Sequence, residues 1–248
     1  MSKVLAIIPS RYASTRFPGK PLALVKGVPM VVRVYRRASS VFSDVCVATD
    51  DSRIYDAVKA AGGVAGMTSS SHKSGTDRCL EALKKYSELT GKVFDVVVNV
   101  QGDEPFISPL QLTQLASCFD DPRVEIATLV KKPESLEEVL DPNRPKVVVS
   151  AENFALYFSR SEIPYHRNVQ KCVDNYLLHI GLYGYRTSVL EKICSLPQSF
   201  LEKTESLEQL RWLESGLKIK VALSSETSYG IDTPEDLVRI NAMENLEL

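Results

Sequence analysis

The sequence predicts an α/β fold, with a mostly parallel sheet flanked by helices and a smaller antiparallel lobe. Three observations lead to this prediction. Short runs rich in Val and Ile alternate with amphipathic segments over the first 130 residues, as in folds built from strand–helix–strand units with right-handed crossovers. The runs 4–8 and 94–100 are apolar almost throughout, which is typical of strands covered on both faces. After residue 140 the spacing changes, and two strand-like runs follow each other closely.

Each element has its own local signal. The predicted strands are 4–8, 44–49, 94–100, 125–130, 146–151, 154–159, 177–186 and 219–224. Helical periodicity predicts helices near 29–39, 51–61, 73–89, 108–119, 187–195, 202–215 and 234–245. Thr233, Pro234 and Asp236 mark the start of the last helix as an N-cap, a first-turn proline and a capping-box acid. The crowded strands after residue 140 predict an antiparallel lobe inserted in, or laid against, the parallel sheet.

Composition and charge argue against several classes of protein. The chain has 248 residues, with 30 Lys and Arg against 31 Asp and Glu, and this balance argues against a nucleic-acid-binding or membrane-surface protein. Five cysteines without a C-x-x-C pair argue against a disulfide framework or a cysteine-rich zinc site, and they suit a reducing cytoplasm. The run 4–8 is too short for a signal peptide. No segment approaches the ~20 apolar residues of a membrane helix.

The loop 9–21, which follows the first predicted strand, is the first candidate site. It carries three cations, several hydroxyls, a glycine and prolines at the carboxyl edge of the sheet, where α/β folds bind ligands. Arg supplies a bidentate fork, Lys a point charge and the backbone further N–H donors, so this loop suits a phosphate. It is not a Walker A loop, because Pro21 follows Gly19 and Lys20, and it lacks G-x-G-x-x-G. A solvated basic loop is the alternative.

Two acidic residues are candidate ligands for Mg²⁺, an ion that takes one or two carboxylates together with phosphate oxygens. Asp103 follows the most apolar strand, and a proline after Glu104 keeps that residue extended, so the two carboxylates diverge. Asp232 precedes the cap Thr233 and is not needed for capping. Ordinary turn acids are the alternative at both positions.

Two further segments carry polar side chains. Segment 71–78 leads into a helix whose N-terminus suits an anion or a base edge, with an ordinary capped helix start as the alternative. Later polar residues lie in 159–165, in the strand with His179 and in the helix around Trp212. Local pattern favours a core histidine at 179 and a core or interface position for Trp212. The three histidines have no zinc spacing, and G-x-S-x-G is absent.

Together these motifs resemble the 3-deoxy-manno-octulosonate cytidylyltransferase (CMP-Kdo synthetase) family of the sugar nucleotidyltransferase group. The matching segments run almost end to end and are IIPSRYASTRFPGKPL, VATDD, SGTDR, VNVQGDEP, YFSRSEIPY, HIGLYGYR, SLEQLRWLESG and GIDTPEDL. The first of them marks the wider group, whereas the later ones are far more specific. The chain departs from the family pattern at Arg144-Pro145, where a more apolar pair is expected.

The resemblance implies a Rossmann-like fold of the nucleotide-diphospho-sugar transferase type and a cytoplasmic homodimer. It implies that CTP and 3-deoxy-manno-octulosonate (Kdo) react, with Mg²⁺ as cofactor, to give CMP-Kdo and pyrophosphate for lipopolysaccharide synthesis. A single domain, 1–248, would bind nucleotide mainly through 1–135, and sugar and a second subunit mainly through 140–225. The alternatives are a cytidylyltransferase for another acid sugar, such as 8-amino-Kdo or sialic acid, and a non-catalytic nucleotide-binding module.

The resemblance also implies roles for individual residues. Arg11 and Lys20 would hold the triphosphate, and Asp103 and Asp232 would hold Mg²⁺. These four are the predicted catalytic residues. The other predicted nucleotide contacts are Ser10, Ser14, Ser74, Arg78 and Gln101. The predicted sugar contacts are Arg160, His179, Tyr183, Glu208 and Gln209.

Overall fold

A computed structural model describes most of the chain. The described residues are 2–13, 17–226, 230–231 and 233–243. Two predicted site residues, Ser14 and Asp232, therefore lie outside the described residues. The chain divides into two compact units, the first formed by 1–113 with 228–248 and the second by 114–227.

Strands and helices alternate along the described residues. The strands are β1 (Val4–Ser10), β2 (Leu24–Val25), β3 (Val28–Pro29), β4 (Val45–Thr49), β5 (Ala65–Met67), β6 (Val96–Asn99), β7 (Ile126–Lys131), β8 (Lys146–Val149), β9 (Ala155–Ser159), β10 (Leu178–Arg186) and β11 (Ile219–Leu223). The helices are α1 (Met30–Ser39), α2 (Ser52–Ala60), α3 (Gly75–Thr90), α4 (Pro109–Ser117), α5 (Leu136–Leu140), α6 (Thr187–Ser195), α7 (Phe200–Glu205), α8 (Gln209–Glu214) and α9 (Pro234–Ala242).

The first unit is built on a parallel sheet in the order β5–β4–β1–β6. The side chains of β1, β4 and β6 are buried almost throughout, which confirms the prediction of strands covered on both faces. Helices α1, α2 and α3 pack against these strands. The short strand β5 was not predicted, because the sequence of 65–67 contains no Val or Ile run.

β1 continues to Ser10, two residues beyond its predicted end, because Pro9 interrupts no ladder hydrogen bond. The carbonyl of Ile7 accepts from Val100, so the backbone polar groups of Ile7 face β6. Backbone groups alternate in direction along a strand, and those of Pro9 therefore also face the β6 side. The register with β6 ends where Ile7 meets Asn99. Pro9 lies past that end, where its missing N–H removes no partner.

A small hairpin and the last helix complete the first unit. β2 and β3 pair antiparallel, and the turn residues Lys26 and Gly27 both have positive φ, 48° and 79°. Two such residues form the type I′ turn favoured in two-residue hairpins. The hairpin, α1 and α9 share one apolar cluster, which comprises Val25, Met30, Phe106, Ile231 and Ile240.

The second unit contains the antiparallel lobe that the strand spacing predicted. β7 pairs antiparallel with β10, β10 with β8, and β8 with β9, whereas β11 runs parallel to β7. The register of β10 shifts between Ile180 and Tyr183. The predicted fold class, a parallel α/β part with an antiparallel lobe, is thus confirmed.

The prediction of one helix over 202–215 is wrong. α7 ends at Glu205, Ser206 adopts a left-handed conformation with φ 52°, and α8 begins at Gln209. The segment 202–215 contains neither glycine nor proline, so no residue type marked the break in the sequence. No described helix has the length and apolar character needed to cross a membrane.

Candidate functional site

A cavity of about 270 Å³ opens at the carboxyl ends of β1 and β6 in the first unit. Its walls come from the segment after β1, the segment that leads into α3 and the segment after β6. Seven predicted site residues line this cavity, and they are Ser10, Arg11, Lys20, Ser74, Arg78, Gln101 and Asp103. The fold therefore brings together three motifs that are far apart in sequence.

Close packing of the two strand ends shapes the floor of the cavity. A Cβ atom on Gly102 would lie 2.7 Å from Ser10 Oγ and 3.0 Å from the carbonyl oxygen of Pro9. Only glycine allows this approach without displacing the backbone. Ser10 Oγ is buried and has no hydrogen-bond partner within the described residues.

Lys20 and Asp103 form an ion pair in the cavity wall. Lys20 Nζ lies 2.6 Å from Asp103 Oδ2, and about a third of the Asp103 side chain is exposed. Lys20 follows Gly19, whose φ of 72° and N–H bond to the Tyr12 carbonyl turn the chain back. The main chain of Asp103 is held by the Ile231 N–H, which donates to its carbonyl at 3.0 Å.

The predicted residues of the α3 segment have specific structural partners. Ser74 caps α3, and its hydroxyl accepts from the Asp77 N–H at 3.1 Å. The Arg78 guanidinium is almost fully buried. It donates to Thr68 Oγ1 at 2.6 Å and to Asp50 Oδ2 at 2.9 Å. Arg78 is thus a rigid, charge-compensated part of the wall, whereas Ser74 is the N-cap that the local pattern predicted as an alternative.

The cavity as a whole is cationic. Arg11 and Lys73 reach it as exposed side chains, beside Lys20, His72 and Arg78. Asp103 is the only carboxylate of the described lining, and Lys20 pairs with it. A concave surface with several cations and the N-terminus of α3 suits a polyanion such as a phosphate chain.

Of the two predicted Mg²⁺ ligands, only Asp103 lies within the described residues. No group of three or more His, Cys, Asp or Glu side chains that suits a metal ion occurs in the described part of the chain. A partly exposed carboxylate on a cationic surface nevertheless fits Mg²⁺, because phosphate oxygens can complete the ligand set of that ion. The second predicted ligand, Asp232, follows Ile231, the residue whose N–H is bonded to Asp103.

In the second unit, the structure brings predicted sugar contacts together around Trp212. The ring centroids of His179 and Tyr183 are 5.3 Å apart, and those of Tyr183 and Trp212 are 5.1 Å apart. Gln209 lies one turn before Trp212 on α8, with Glu208 directly before it. Trp212 is 1% exposed, which agrees with its prediction as a core or interface residue.

Two polar atoms in this group are buried without partners. Gln209 Nε2 and Trp212 Nε1 form no hydrogen bond within the described residues. Burial raises the pKa of Tyr183 well above 10 and lowers the pKa of His179 to about 3. Both side chains are therefore neutral at pH 7. Unsatisfied donors in a neutral, aromatic setting are suited to a ligand with several hydroxyls and an acid group.

Arg160 has a different environment from the other predicted sugar contacts. Its guanidinium donates to the carbonyls of Glu205 at 2.7 Å, Pro142 at 2.9 Å and Ser206 at 3.3 Å. It connects the segment after β9 to the end of α7 and to the loop at Pro142. Its sugar contact stays a prediction.

Four residues near the first cavity were not predicted. Asp50 fixes Arg78, Lys73 and His72 line the cavity, and Glu81 holds His72. The motif VATDD and the segment 71–78 contained three of them, but neither pattern indicated partners. Glu81 lies inside α3, where a polar residue at helical spacing looks like any solvated position.

The chain is similar to known proteins over nearly its full length. Residues 5–219 match the family described as Cytidylyltransferase. The 3-deoxy-manno-octulosonate cytidylyltransferase of Phocaeicola vulgatus is 56% identical over 97% of this chain and 96% of that protein. The protein of that name from Escherichia coli is 45% identical over 100% and 98%. A solved structure of CMP:2-keto-3-deoxy-manno-octonic acid synthetase complexed with CTP has a TM-score of 0.89 and 44% identity, and the match covers 97% of this chain and 98% of that chain.

Proposed function

The chain belongs to the 3-deoxy-manno-octulosonate cytidylyltransferase family, and from this premise we propose the reaction that it catalyses. It is a nucleotidyltransferase that transfers CMP from CTP to the anomeric hydroxyl of Kdo and releases pyrophosphate. The family resemblance inferred from the motifs is thereby confirmed. The observation that carries the proposal is the cationic cavity of the first unit, which is lined by seven residues predicted to bind nucleotide or Mg²⁺.

The reaction is an in-line displacement at phosphorus. The anomeric oxygen forms a bond to the α-phosphorus of CTP, and the bond to the oxygen that leads to the β-phosphate breaks. Such a step asks little covalent chemistry of the protein, so positioning and charge stabilisation are its main tasks. No residue of the cavity is a compelling general base, and we assign the hydroxyl proton to solvent or to the departing pyrophosphate.

The cations of the cavity would hold the triphosphate. Arg11 and Lys20 lie on the segment after β1, and Lys73 lies beside the N-terminus of α3. As pyrophosphate leaves, negative charge accumulates on it, and fixed cations stabilise that charge without reorganisation. Ser10 Oγ, Ser74 and Gln101 would supply neutral contacts to the nucleotide.

We propose Mg²⁺ as the cofactor, held by Asp103 and Asp232. The support is the partly exposed carboxylate of Asp103 in the cationic cavity and the bond between Ile231 and Asp103. When bound, the ion polarises a phosphate group and adds positive charge at the reacting phosphorus. Lys20 orients the Asp103 carboxylate.

The acid sugar would bind in the second unit. Gln209 Nε2 is a buried donor that lacks a partner within the described residues, and a hydroxyl or the carboxylate of the sugar would satisfy it. Glu208 would accept hydrogen bonds from sugar hydroxyls. The His179 ring packs against the Tyr183 ring beside it. Arg160 would attract the sugar carboxylate.

We further propose that the protein acts as a homodimer in the cytoplasm and that its product serves lipopolysaccharide synthesis. All five cysteines lie in described ranges and none forms a disulfide, which suits a reducing compartment. Leu156, Val169 and Phe200 of the second unit are large apolar side chains that are more than half exposed, and a second subunit would cover such residues.

Pyrophosphate release by the purified protein tests the proposed function. CTP and Mg²⁺ are incubated with Kdo, 8-amino-Kdo, sialic acid or no sugar, and each reaction is repeated with UTP. We expect release only with CTP and Kdo, and the Asp103→Asn variant is the control that assigns the activity to this chain. Release with a different acid sugar and not with Kdo would contradict Kdo as the acceptor but not the cytidylyl transfer. Folded protein that binds CTP and releases nothing with any acceptor would contradict the proposal.

A further inference from the structure

His72 and Glu81 form a pair at the cavity of the first unit that the proposed reaction has not yet used. His72 lines the cavity beside Lys73. Its Nε2 bonds to Glu81 Oε2, and the side chains of both residues are mostly buried. Glu81 lies on α3, nine residues further along the chain. The pair thus connects the cavity wall to the body of a long helix.

Glu81 also anchors the backbone that leads to His72. Its carboxylate accepts from the Ser69 N–H at 2.9 Å and pairs with Lys85 Nζ at 2.7 Å. Lys85 in turn donates to the carbonyl of Met67 at 2.9 Å. Glu81 and Lys85 therefore hold the segment 67–72 at three points, and this segment has little freedom at its cavity end.

The charge state of Glu81 decides which residue donates the hydrogen bond between Glu81 and His72. Burial by itself would raise the pKa of Glu81, but bonds from Lys85, the Ser69 N–H and His72 lower it to about 2. At neutral pH Glu81 is therefore a carboxylate, which only accepts hydrogen bonds. His72 Nε2 consequently carries a hydrogen and donates it. With Nε2 directed to Glu81, Nδ1 is the ring nitrogen left to meet a ligand.

The surroundings of His72 favour an anionic ligand. Arg11, Lys20 and Lys73 line the same cavity, and the one carboxylate of its described lining, Asp103, is paired with Lys20. In an imidazole ring whose two nitrogens both carry hydrogens, Nε2–H can bond to a carboxylate while Nδ1–H donates to a phosphate oxygen, as a charge-assisted bond. The carboxylate on the far side compensates the resulting charge.

We propose that His72 is a further nucleotide-binding residue that contacts the phosphate groups through Nδ1, and that Glu81 is the positioning residue that holds its ring at the cavity. This inference rests on the proposed function, because it adds a residue to the same site. It makes the His72–Glu81 pair a determinant of nucleotide affinity rather than of acceptor affinity.

Calorimetric titration of CTP, CMP and cytidine in the absence of acceptor tests the inference. The proteins are the wild type, His72→Gln, Glu81→Gln and the double variant. Glu88→Gln is the matched control, because Glu88 is an exposed position of the same helix. We expect each single variant of the pair to weaken CTP binding about tenfold, the value of one charge-assisted hydrogen bond, with the affinity for cytidine changed less than about twofold. The double variant should bind no more weakly than His72→Gln alone.

Three results would overturn the inference while the proposed function stands. Wild-type affinity for CTP in His72→Gln excludes a nucleotide contact, and an equal loss for cytidine excludes contact with phosphate. Fully additive losses in the double variant exclude the positioning role of Glu81. His72→Asn is a second substitution in case His72→Gln does not fold, and steady-state KM for CTP against KM for Kdo separates a local defect from a general one. A wild type that does not bind CTP would instead contradict the proposed function itself.

Discussion

Lys20 and Asp103 are 83 positions apart in sequence, yet their charged atoms lie 2.6 Å apart. Each residue has a conventional role in the proposed reaction, the lysine with phosphate and the carboxylate with Mg²⁺. Their pairing adds a second effect, because each one fixes the position of the other in the wall of the cavity. Loss of either side chain would therefore disturb both the proposed phosphate contact and the proposed Mg²⁺ site.

At the scale of single residues, we predict that Asp103→Asn and Lys20→Ala each lower turnover by ~100-fold or more. Losses of comparable charge stabilisation in other enzymes have effects of this size. The measurement is pyrophosphate release with CTP and Kdo at saturating Mg²⁺. Asp56→Asn, an exposed acid on α2, is the matched control and should retain wild-type turnover. Near-normal turnover in Asp103→Asn would contradict the role of its carboxylate as a metal ligand.

Glu81 also makes the stability of the fold depend on pH. Its pKa is about 2 in the folded protein, against an ordinary value of 4.5. A lowered pKa in the folded state stabilises the protein above the ordinary value, and this contribution is lost as the pH falls from 4.5 towards 2. The difference in free energy of unfolding between wild type and Glu81→Gln should therefore be larger at about pH 7 than at about pH 3. Urea unfolding at both pH values measures this difference in free energy. A difference that does not change with pH would contradict the lowered pKa of Glu81.

At the scale of the elements, the junction of β1 and the segment after β6 is the tightest part of the site. Gly102→Ala would place a methyl group against Ser10 Oγ and the Pro9 carbonyl. We expect a loss of ~1–3 kcal/mol in stability, typical of an overpacked position, together with weaker CTP binding. Gly66→Ala is the control, because its Cβ would meet only Cys46 Sγ at an ordinary 3.6 Å. Thermal unfolding and CTP titration of both variants check this. Equal stability and equal CTP affinity in Gly102→Ala and Gly66→Ala would show that the strand ends can separate freely.

The β2–β3 hairpin and α9 are joined by a set of hydrogen bonds that we call the hairpin clasp. Asn241 Oδ1 accepts from the Lys26 N–H at 2.8 Å, and Asn241 Nδ2 donates to the Leu24 carbonyl at 3.1 Å. Lys26 Nζ donates to the carbonyls of Asn241 and Met243, at the end of α9. A cation there also interacts favourably with the C-terminal end of the helix dipole. The clasp restrains the helix that begins directly after Asp232 and Thr233.

Asn241→Ala removes two bonds of the hairpin clasp and should destabilise the protein by ~1 kcal/mol, because the bonds are exposed. Amide hydrogen exchange should speed up in α9 and the hairpin more than in α3. Asn168→Ala, at an exposed asparagine of the second unit, should leave exchange in α9 unchanged. Unchanged protection of α9 in Asn241→Ala would show that the apolar cluster alone holds the helix.

At the scale of the whole molecule, the two compact units separate the two predicted binding tasks. The predicted nucleotide and metal residues belong to the first unit, whereas the predicted sugar contacts all belong to the second. We expect light scattering to find twice the mass of one chain, as the proposed homodimer requires. Leu156→Glu, which puts a charge on an exposed apolar position of β9, should shift that equilibrium towards single chains. A wild type of single-chain mass at all concentrations would remove the homodimer proposal.

Much of the architecture was predictable because it follows from local patterns. The apolar runs of β1 and β6, the alternation of strands and helices, and the cap at Thr233 each arise from neighbouring residues. The break between α7 and α8 was not predictable, because the left-handed residue at it is Ser206 and not the glycine that usually marks such a position. The short strand β5 depends on pairing with β4 and leaves little trace in its own sequence.

The sequence by itself determined the α/β class, the family and the segments that line the nucleotide cavity, because periodicity and motifs are carried by residues close together in the chain. Only the tertiary structure decided which polar side chains are partners. It paired Lys20 with Asp103, Arg78 with Asp50 and His72 with Glu81. It also left Gln209 Nε2 and Trp212 Nε1 buried without partners within the described residues. Partnership depends on distance in the folded chain, and no local pattern encodes the position of a residue on another element.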